Sequence, residues 1–252
     1  MPAKLFAFSA LAAALAVSGC SSTGGGGGGG GQSIPQPSGP SLGYNAVVIS
    51  GTGGGTRETG RITGDSQDAV VQVAGDTYRF GNGSRGASYA GIDSYSYGTS
   101  SNGAALYLGE YTAAAILADE ARYNQAAGLF QGERTPTSAI PNQQAQYDGF
   151  WNIAANNGGG ANGRFAADFD FSTNTYAMGL VDANGTRAGQ GSGNVNRSNN
   201  TFEGDLETTG SFVSTNDVYG AFFGPDYNEV GGNIAGNSTS GGETTGVFVG
   251  AR

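Results

Sequence analysis

From about Leu42 onward, the 252-residue chain is long enough for one or two domains with real cores. Its formal charge of −9 disfavours nucleic acid and anionic lipid headgroups as partners, and the acidity reads as a solubility device rather than an acidic binding patch. With no histidine and one cysteine, Ser-His-Asp and Cys-His catalysis, histidine-bound zinc, histidine-ligated haem and internal disulfides are excluded; no catalytic residue, metal site or cofactor is expected.

The amino end reads as a targeting segment. Lys4 supplies positive charge, residues 5–17 form an apolar run too short to span a bilayer as a permanent helix, and small residues lead into Cys20. Val17-Ser18-Gly19-Cys20 fits the lipobox cut by signal peptidase II, so residues 1–19 are expected to be a lipoprotein signal peptide and Cys20 the lipidated residue. An ordinary cleaved signal peptide with an incidental cysteine is the alternative. Lys4 is the only lysine, so its removal leaves a mature chain without any, and Ser21 after the cysteine favours outer-membrane sorting. Residues 20–41, with glycine throughout 24–31, have no pattern that could bury a face and read as a disordered tether.

Residues 42–135 read as a β-rich unit. Candidate strands are 44–50, 69–73, 77–80, 94–97 and 104–109, separated by glycine-rich turns. The run 112–120, with Ala113, Ala114, Ala115, Ile116 and Leu117 in sequence, has helical composition and is expected to form one short helix. Residues 136–146, opening on Pro136 and including Pro141, read as a connector.

Beyond the connector the alternation is cleaner. Phe165, Ala167, Phe169 and Phe171 share one strand face, with Ala166, Asp168 and Asp170 on the other; Tyr176, Met178 and Leu180 alternate in a return strand after Asn174. Asn184-Gly185 is a strong hairpin signal. Strands expected at 147–153, 165–171, 174–180, 193–197, 201–206, 217–223, 229–235 and 244–249 make eight. Eight antiparallel strands close into a barrel just wide enough for its own side chains. The expected fold is therefore all-β: a small β-rich unit, then an eight-stranded antiparallel barrel over 147–252.

The last third carries a longer pattern, Tyr219-Gly220-Ala221-Phe222-Phe223-Gly224-Pro225-Asp226-Tyr227-Asn228-Glu229-Val230-Gly231-Gly232, and the chain closes on Gly246-Val247-Phe248-Val249-Gly250-Ala251-Arg252. Together with Thr135-Pro136, Ile140-Pro141, Tyr147-x-Gly149-x-Trp151, Phe202-x-Gly204 and Gly210-x-Phe212, this resembles the C-terminal barrel of transferrin-binding protein B and its relatives, among them factor H-binding and haemophilin-like surface proteins. The resemblance covers about 134–252 and implies a handle-and-barrel surface lipoprotein that binds a partner. It departs in an inserted Val249, a shortened Lys-Arg ending and one lobe in place of two, and it carries over no ligand. The matched residues read as structural: Gly224-Pro225 as a tight turn, Gly231-Gly232 as a bulge or sharp bend, and Trp151, the only tryptophan, as a barrel plug.

Other motifs dissolve on inspection. Gly81-Asn82-Gly83-Ser84-Arg85-Gly86 spells G-x-G-x-x-G, but nothing helical follows it; residues 51–56 lack a Gly-Lys pair and read as a turn. Asp168 and Asp170 read as solvated face residues rather than a carboxylate pair, and no loop has calcium-binding spacing. The expected function is partner binding at the cell exterior, the partner a host or environmental protein or a small iron-related ligand, with Tyr227, Asn228, Tyr95 and Tyr97 as candidate contacts. The membrane is met through the amino-terminal lipid only. A structural envelope lipoprotein without a specific ligand is the alternative, and neither reading makes the chain an enzyme.

Overall fold

The computed structural model describes residues 31–39, 41–50, 53–99, 102–119, 125–140, 142–156, 159–210 and 212–252. The expected signal segment and Cys20 lie outside the described residues. Eighteen strands and no helix make up what is described. β1 (Ala46–Ser50), β2 (Gly53–Glu58), β6 (Ser84–Tyr89), β7 (Ile92–Thr99), β8 (Asn102–Leu108), β9 (Thr112–Asp119) and β10 (Gln125–Gly132) form a seven-stranded sheet in the order β2-β1-β10-β9-β8-β7-β6. β3 (Arg61–Gly64), β4 (Asp68–Val73) and β5 (Asp76–Gly81) form a three-stranded sheet. The remaining eight strands close into an antiparallel barrel: β11 (Gln144–Ala155), β12 (Gly160–Asp170), β13 (Thr175–Asp182), β14 (Arg187–Asn196), β15 (Thr201–Thr208), β16 (Ser214–Phe223), β17 (Glu229–Ser238) and β18 (Glu243–Ala251). The expected all-β handle and eight-stranded barrel are the observed architecture.

Closure comes from pairing the first barrel strand with the last, Asp148 opposite Ala251 through Ala155 opposite Thr244. Alternation fills the interior. Tyr147, Trp151, Phe165, Phe169, Tyr176, Phe202, Phe222 and Phe248 all point inward and are buried. Phe169 sits at the centre of the aromatic cluster, with ring centroids 4.8 Å from Phe202, 5.0 Å from Phe222 and 5.2 Å from Tyr176. The Trp151 indole N–H donates to the Val181 carbonyl at 3.0 Å, so the plug is also polar-satisfied.

Of the two roles expected for the glycine pair 231–232, a bulge is corrected: β17 runs in unbroken register against both neighbours there. Gly232 and its cross-strand partner Gly220 instead make room for rings. A Cβ on Gly232 would stand 2.4 Å from Phe248 Cζ, and one on Gly220 would stand 2.4 Å from Phe202 Cζ. Small wall residues and large plugs are thus complementary.

The run 112–120 was expected to be helical, and this is corrected: 112–119 are strand β9, in the middle of the seven-stranded sheet. Ala113, Ala115 and Leu117 face the three-stranded sheet, while Ala114 and Ile116 face the barrel. A strand covered on both sides needs no alternation, and small alanines let the layers approach, so burial overrides the helical propensity of alanine. The turn reading of 51–56 is likewise corrected over its described part, since β2 begins at Gly53. The tether expected over 20–41 is corrected over its described part. Ile34 is 4% exposed in the handle core, Ser33 bridges Asp65 and Ser38 bridges Glu133, so the described residues 31–39 are laid against the sheets.

The central role of Phe169 gives a test. Phe169→Ala is expected to lower stability by about 3–5 kcal/mol, read by urea unfolding followed through the fluorescence of Trp151. Gly232→Ala is expected to destabilise as well, because Phe248 and the Tyr219 carbonyl cannot both retreat from the new methyl.

Candidate binding surface

The handle is seated on the outside of the barrel. Phe150, Ala221, Phe223, Val247 and Val249 turn outward from β11, β16 and β18 and pack against Ile92, Tyr107, Ala114, Ile116 and Phe130 of the seven-stranded sheet. Polar pins fix the seat. The Glu229 carboxylate, 4% exposed, accepts the backbone N–H groups of Glu110, Tyr111 and Thr112 at 2.7, 3.0 and 2.8 Å. The Asn233 amide donates to the Gly128 carbonyl at 2.8 Å and the Thr245 hydroxyl to the Val47 carbonyl at 2.8 Å. Burial holds the Glu229 carboxyl above the ordinary glutamate range, against the opposing pull of those three N–H donors.

The two ends of the barrel differ. One end is closed by the connector. The Arg197 guanidinium donates to Asn142 Oδ1, the Phe171 carbonyl and the Ile140 carbonyl; Arg134 reaches the carbonyls of Asn199 and Asn200, and the Asn200 amide donates to the Thr135 carbonyl at 2.7 Å. Ile140, Phe171 and Tyr227 are buried beneath this cover.

At the other end the hairpin tips stand clear. Asn184, Gly185 and Thr186 are exposed and are held by Asp182, whose Oδ1 accepts the N–H groups of Asn184 and Thr186 at 2.9 Å. Thr239 donates its N–H to the Val213 carbonyl at 2.9 Å, joining two tips, and Val213 is the one large apolar side chain exposed among the described residues, at 41%. Beneath the β15–β16 and β17–β18 tips the barrel interior turns polar. Thr208, Ser214, Asn216 and Thr244 are buried and bonded in sequence, with Thr208 Oγ1 to Ser214 Oγ 2.8 Å, Asn216 Nδ2 to Ser214 Oγ 2.7 Å and Thr244 Oγ1 to Asn216 Oδ1 2.6 Å. Short loops on a bonded floor present their side chains in fixed positions. This end is the candidate binding surface.

The four contact residues expected from sequence are not brought together. Tyr95 and Tyr97 lie on β7 with their rings in the handle core, their hydroxyls donating to Gln32 Oε1 at 3.3 Å and the Ser66 carbonyl at 3.0 Å; burial pushes the Tyr97 phenol up. Tyr227 and Asn228 lie in the β16–β17 turn at the closed end. Tyr227 is buried, accepts from Gln143 at 2.9 Å and carries the Arg252 guanidinium over its ring at 4.7 Å, while Asn228 is partly exposed and caps the turn by accepting the Asp226 N–H.

The remaining motifs fall out simply. The G-x-G-x-x-G stretch joins β5 to β6 and is followed by a strand. Asp170 caps the turn after β12. The Ser172 hydroxyl donates to it at 2.5 Å, and this bond, with backbone N–H groups of Ser172 and Thr173, holds its carboxyl at about 2. Among the described residues no group of acidic, cysteine or histidine side chains is placed to hold a metal. Glu229 was legible only as part of a family-like motif. Its signal was an acid directly before Val230-Gly231-Gly232, where a buried wall would otherwise call for an apolar residue.

No protein-family profile matches the sequence, and no curated protein matches it by sequence. Solved structures do match. Intact Ap-TbpB, with its N and C lobes, superposes with a TM-score of 0.55 at 19% identity, over 82% of this chain and 45% of that one. The fold is transferrin-binding-protein-B-like. A double mutant of transferrin binding protein B from Haemophilus parasuis Hp5 gives 0.55 at 20% identity over 82% and 44%, and the isotype 1 protein from serogroup B Neisseria meningitidis gives 0.54 at 20% over 82% and 43%. The chain therefore spans less than half the length of these proteins.

The Glu229 pin is testable. Glu229→Gln places an amide N–H₂ among backbone donors and is expected to destabilise the chain by about 1–3 kcal/mol near neutral pH. The folded-state carboxyl is raised above its unfolded value, so the folded state binds the proton more tightly. The stability linked to it is present at acid pH and is lost as pH rises through the folded value. The difference in melting temperature between the native chain and the variant is expected to be largest in mild acid and to shrink toward neutrality.

Proposed function

We propose that the protein is an outer-membrane lipoprotein, anchored through Cys20 and facing the cell exterior, that binds a protein partner or a small iron-related ligand through loops of the handle and barrel. The observation that carries this reading is the open barrel end, where Val213 and Thr239 stand over a bonded polar floor and, with Asn184, Gly185 and Thr186, are covered by nothing among the described residues. The filled interior directs recognition to the outside, since aromatic rings occupy the space a deep ligand would need. The fold likeness to proteins described as binding transferrin supports a protein partner. The absence of histidine supports a binding role over catalysis. The domain division proposed is residues 42–135 for the handle, 136–146 for the connector and 147–252 for the barrel, with the glycines of 24–30 as the tether.

Three measurements test the reading. Mass spectrometry of the protein from its native envelope is expected to find Cys20 acylated, and Cys20→Ser to release the chain from the membrane. Protease added to intact cells is expected to cut it; survival until the outer membrane is broken defeats surface capture. Capture from serum or environmental protein mixtures by the immobilised full chain, with haem as a separate probe, is expected to yield a ligand. Val213→Glu is expected to weaken that ligand about tenfold, as loss of a central apolar contact does. A blank in every capture leaves a structural envelope protein.

A further inference from the structure

Open sheets expose edges, and this protein treats its edges unequally. The outer edge of β3 is covered by glutamine side chains: Ile62 donates its N–H to Gln131 Oε1 at 2.6 Å, and its carbonyl accepts Gln131 Nε2 at 2.8 Å and Gln36 Nε2 at 3.3 Å. β6 is broken by a register shift between Arg85 and Ser88, and β2 opens on three glycines with a shift in its pairing to β1. Such devices blunt an edge against further pairing. β5 has none of them. It pairs with β4 in unbroken register from Asp68 opposite Gly81 to Val73 opposite Asp76, contains no proline, carries Asp76 and Arg79 as its only charges, and ends its sheet.

The turn fixes which of its groups are free. Ala74 and Gly75 carry φ of 53° and 84°, the two positive values of a two-residue type I′ hairpin. The flanking residues Val73 and Asp76 then exchange both hydrogen bonds, as do alternate pairs beyond, so Asp76, Tyr78 and Phe80 spend their backbone groups on β4. The N–H and C=O groups of Thr77 and Arg79 point away from the sheet. The side chains are sorted by the same alternation. Thr77 and Arg79 are exposed on the outer face, while Tyr78 and Phe80, stacked at 6.4 Å, are only partly covered on the inner one. Arg79 is also uncompensated, because the ion pairs of the described residues are Arg57–Asp217 and Arg85–Asp93.

We propose that β5 is a docking edge that takes an extended segment of a partner protein as an added antiparallel strand, with acidic residues of that segment alternating with apolar ones. The acids meet Arg79 and Thr77 on the outer face and the apolar residues cover the exposed flanks of Tyr78 and Phe80, while backbone bonds to Thr77 and Arg79 supply the framework. The proposal rests on the reading of the protein as a binder of protein partners, and names a second contact for it on the handle.

The pairing geometry makes a sharp test. Residues directly opposite Thr77 and Arg79 share their face, so the acids of the added strand are the ones whose N–H groups point at β5. The probe is a blocked hexapeptide of alternating Glu and Val, added to the full chain and followed by fluorescence anisotropy and amide exchange. Binding is expected to slow exchange at Thr77 and Arg79. N-methylation of its Glu residues is expected to abolish binding, and N-methylation of its Val residues to spare it. Thr77→Pro, which removes an outward donor, and Arg79→Glu are each expected to weaken binding about tenfold. Equal binding by the two methylated peptides, or no slowing at Thr77 and Arg79 at millimolar peptide, overturns the proposal. A protein captured only through the barrel tips, with β5 inert, overturns it and leaves the proposed function standing. Edge pairing by the peptide while intact cells capture no protein supports the edge site and removes the reading beneath it.

Discussion

A barrel wall that is apolar on both sides cannot face water, and that constraint organises the molecule. β16 and β18 send Phe222 and Phe248 inward to the aromatic plug and Ala221, Phe223, Val247 and Val249 outward. The outward set stabilises the folded chain only if something covers it. The seven-stranded sheet does so, and the sheet in turn needs β3, β4 and β5 over its other face. Three layers follow from one two-sided wall. The order of the layers is fixed by burial; the register of handle against barrel is fixed by the polar pins at Glu229, Asn233 and Thr245.

Directionality explains why the pins matter. Apolar contact is proportional to area and tolerates sliding, whereas a carboxylate receiving three backbone N–H bonds has one position. Glu229 therefore converts a sticky seat into a defined one, at a desolvation cost visible in its raised carboxyl. A defined seat fixes the handle in one position on the barrel wall.

The barrel was legible because its inner and outer residues differ in kind. Phe165, Ala167, Phe169 and Phe171 share one face with Ala166, Asp168 and Asp170 on the other, and Asn184-Gly185 marks a hairpin whose Gly185 has a φ of 81°. The handle was less legible for the converse reason. β9 and β10, covered on both faces, show no alternation, and the alanines of β9 mimic a helix; β2, β3 and β6 are rich in glycine or short and carry little apolar pattern. The candidate surface was harder still. Aromatic residues near turns, such as Tyr227, look like contacts in one dimension, yet the connector that buries Tyr227 is distant from it in sequence, and only the closed topology shows which barrel end is covered.

The polar floor beneath the open tips has an implication for change over time. Thr208, Ser214, Asn216 and Thr244 separate the β15–β16 and β17–β18 hairpin ends from the ring cluster deeper in the barrel. A substitution or an insertion in a tip is absorbed by this hydroxyl-and-amide layer, and the packing around Phe169 does not have to be solved again. The molecule can therefore alter the face it presents while keeping the part that makes it fold.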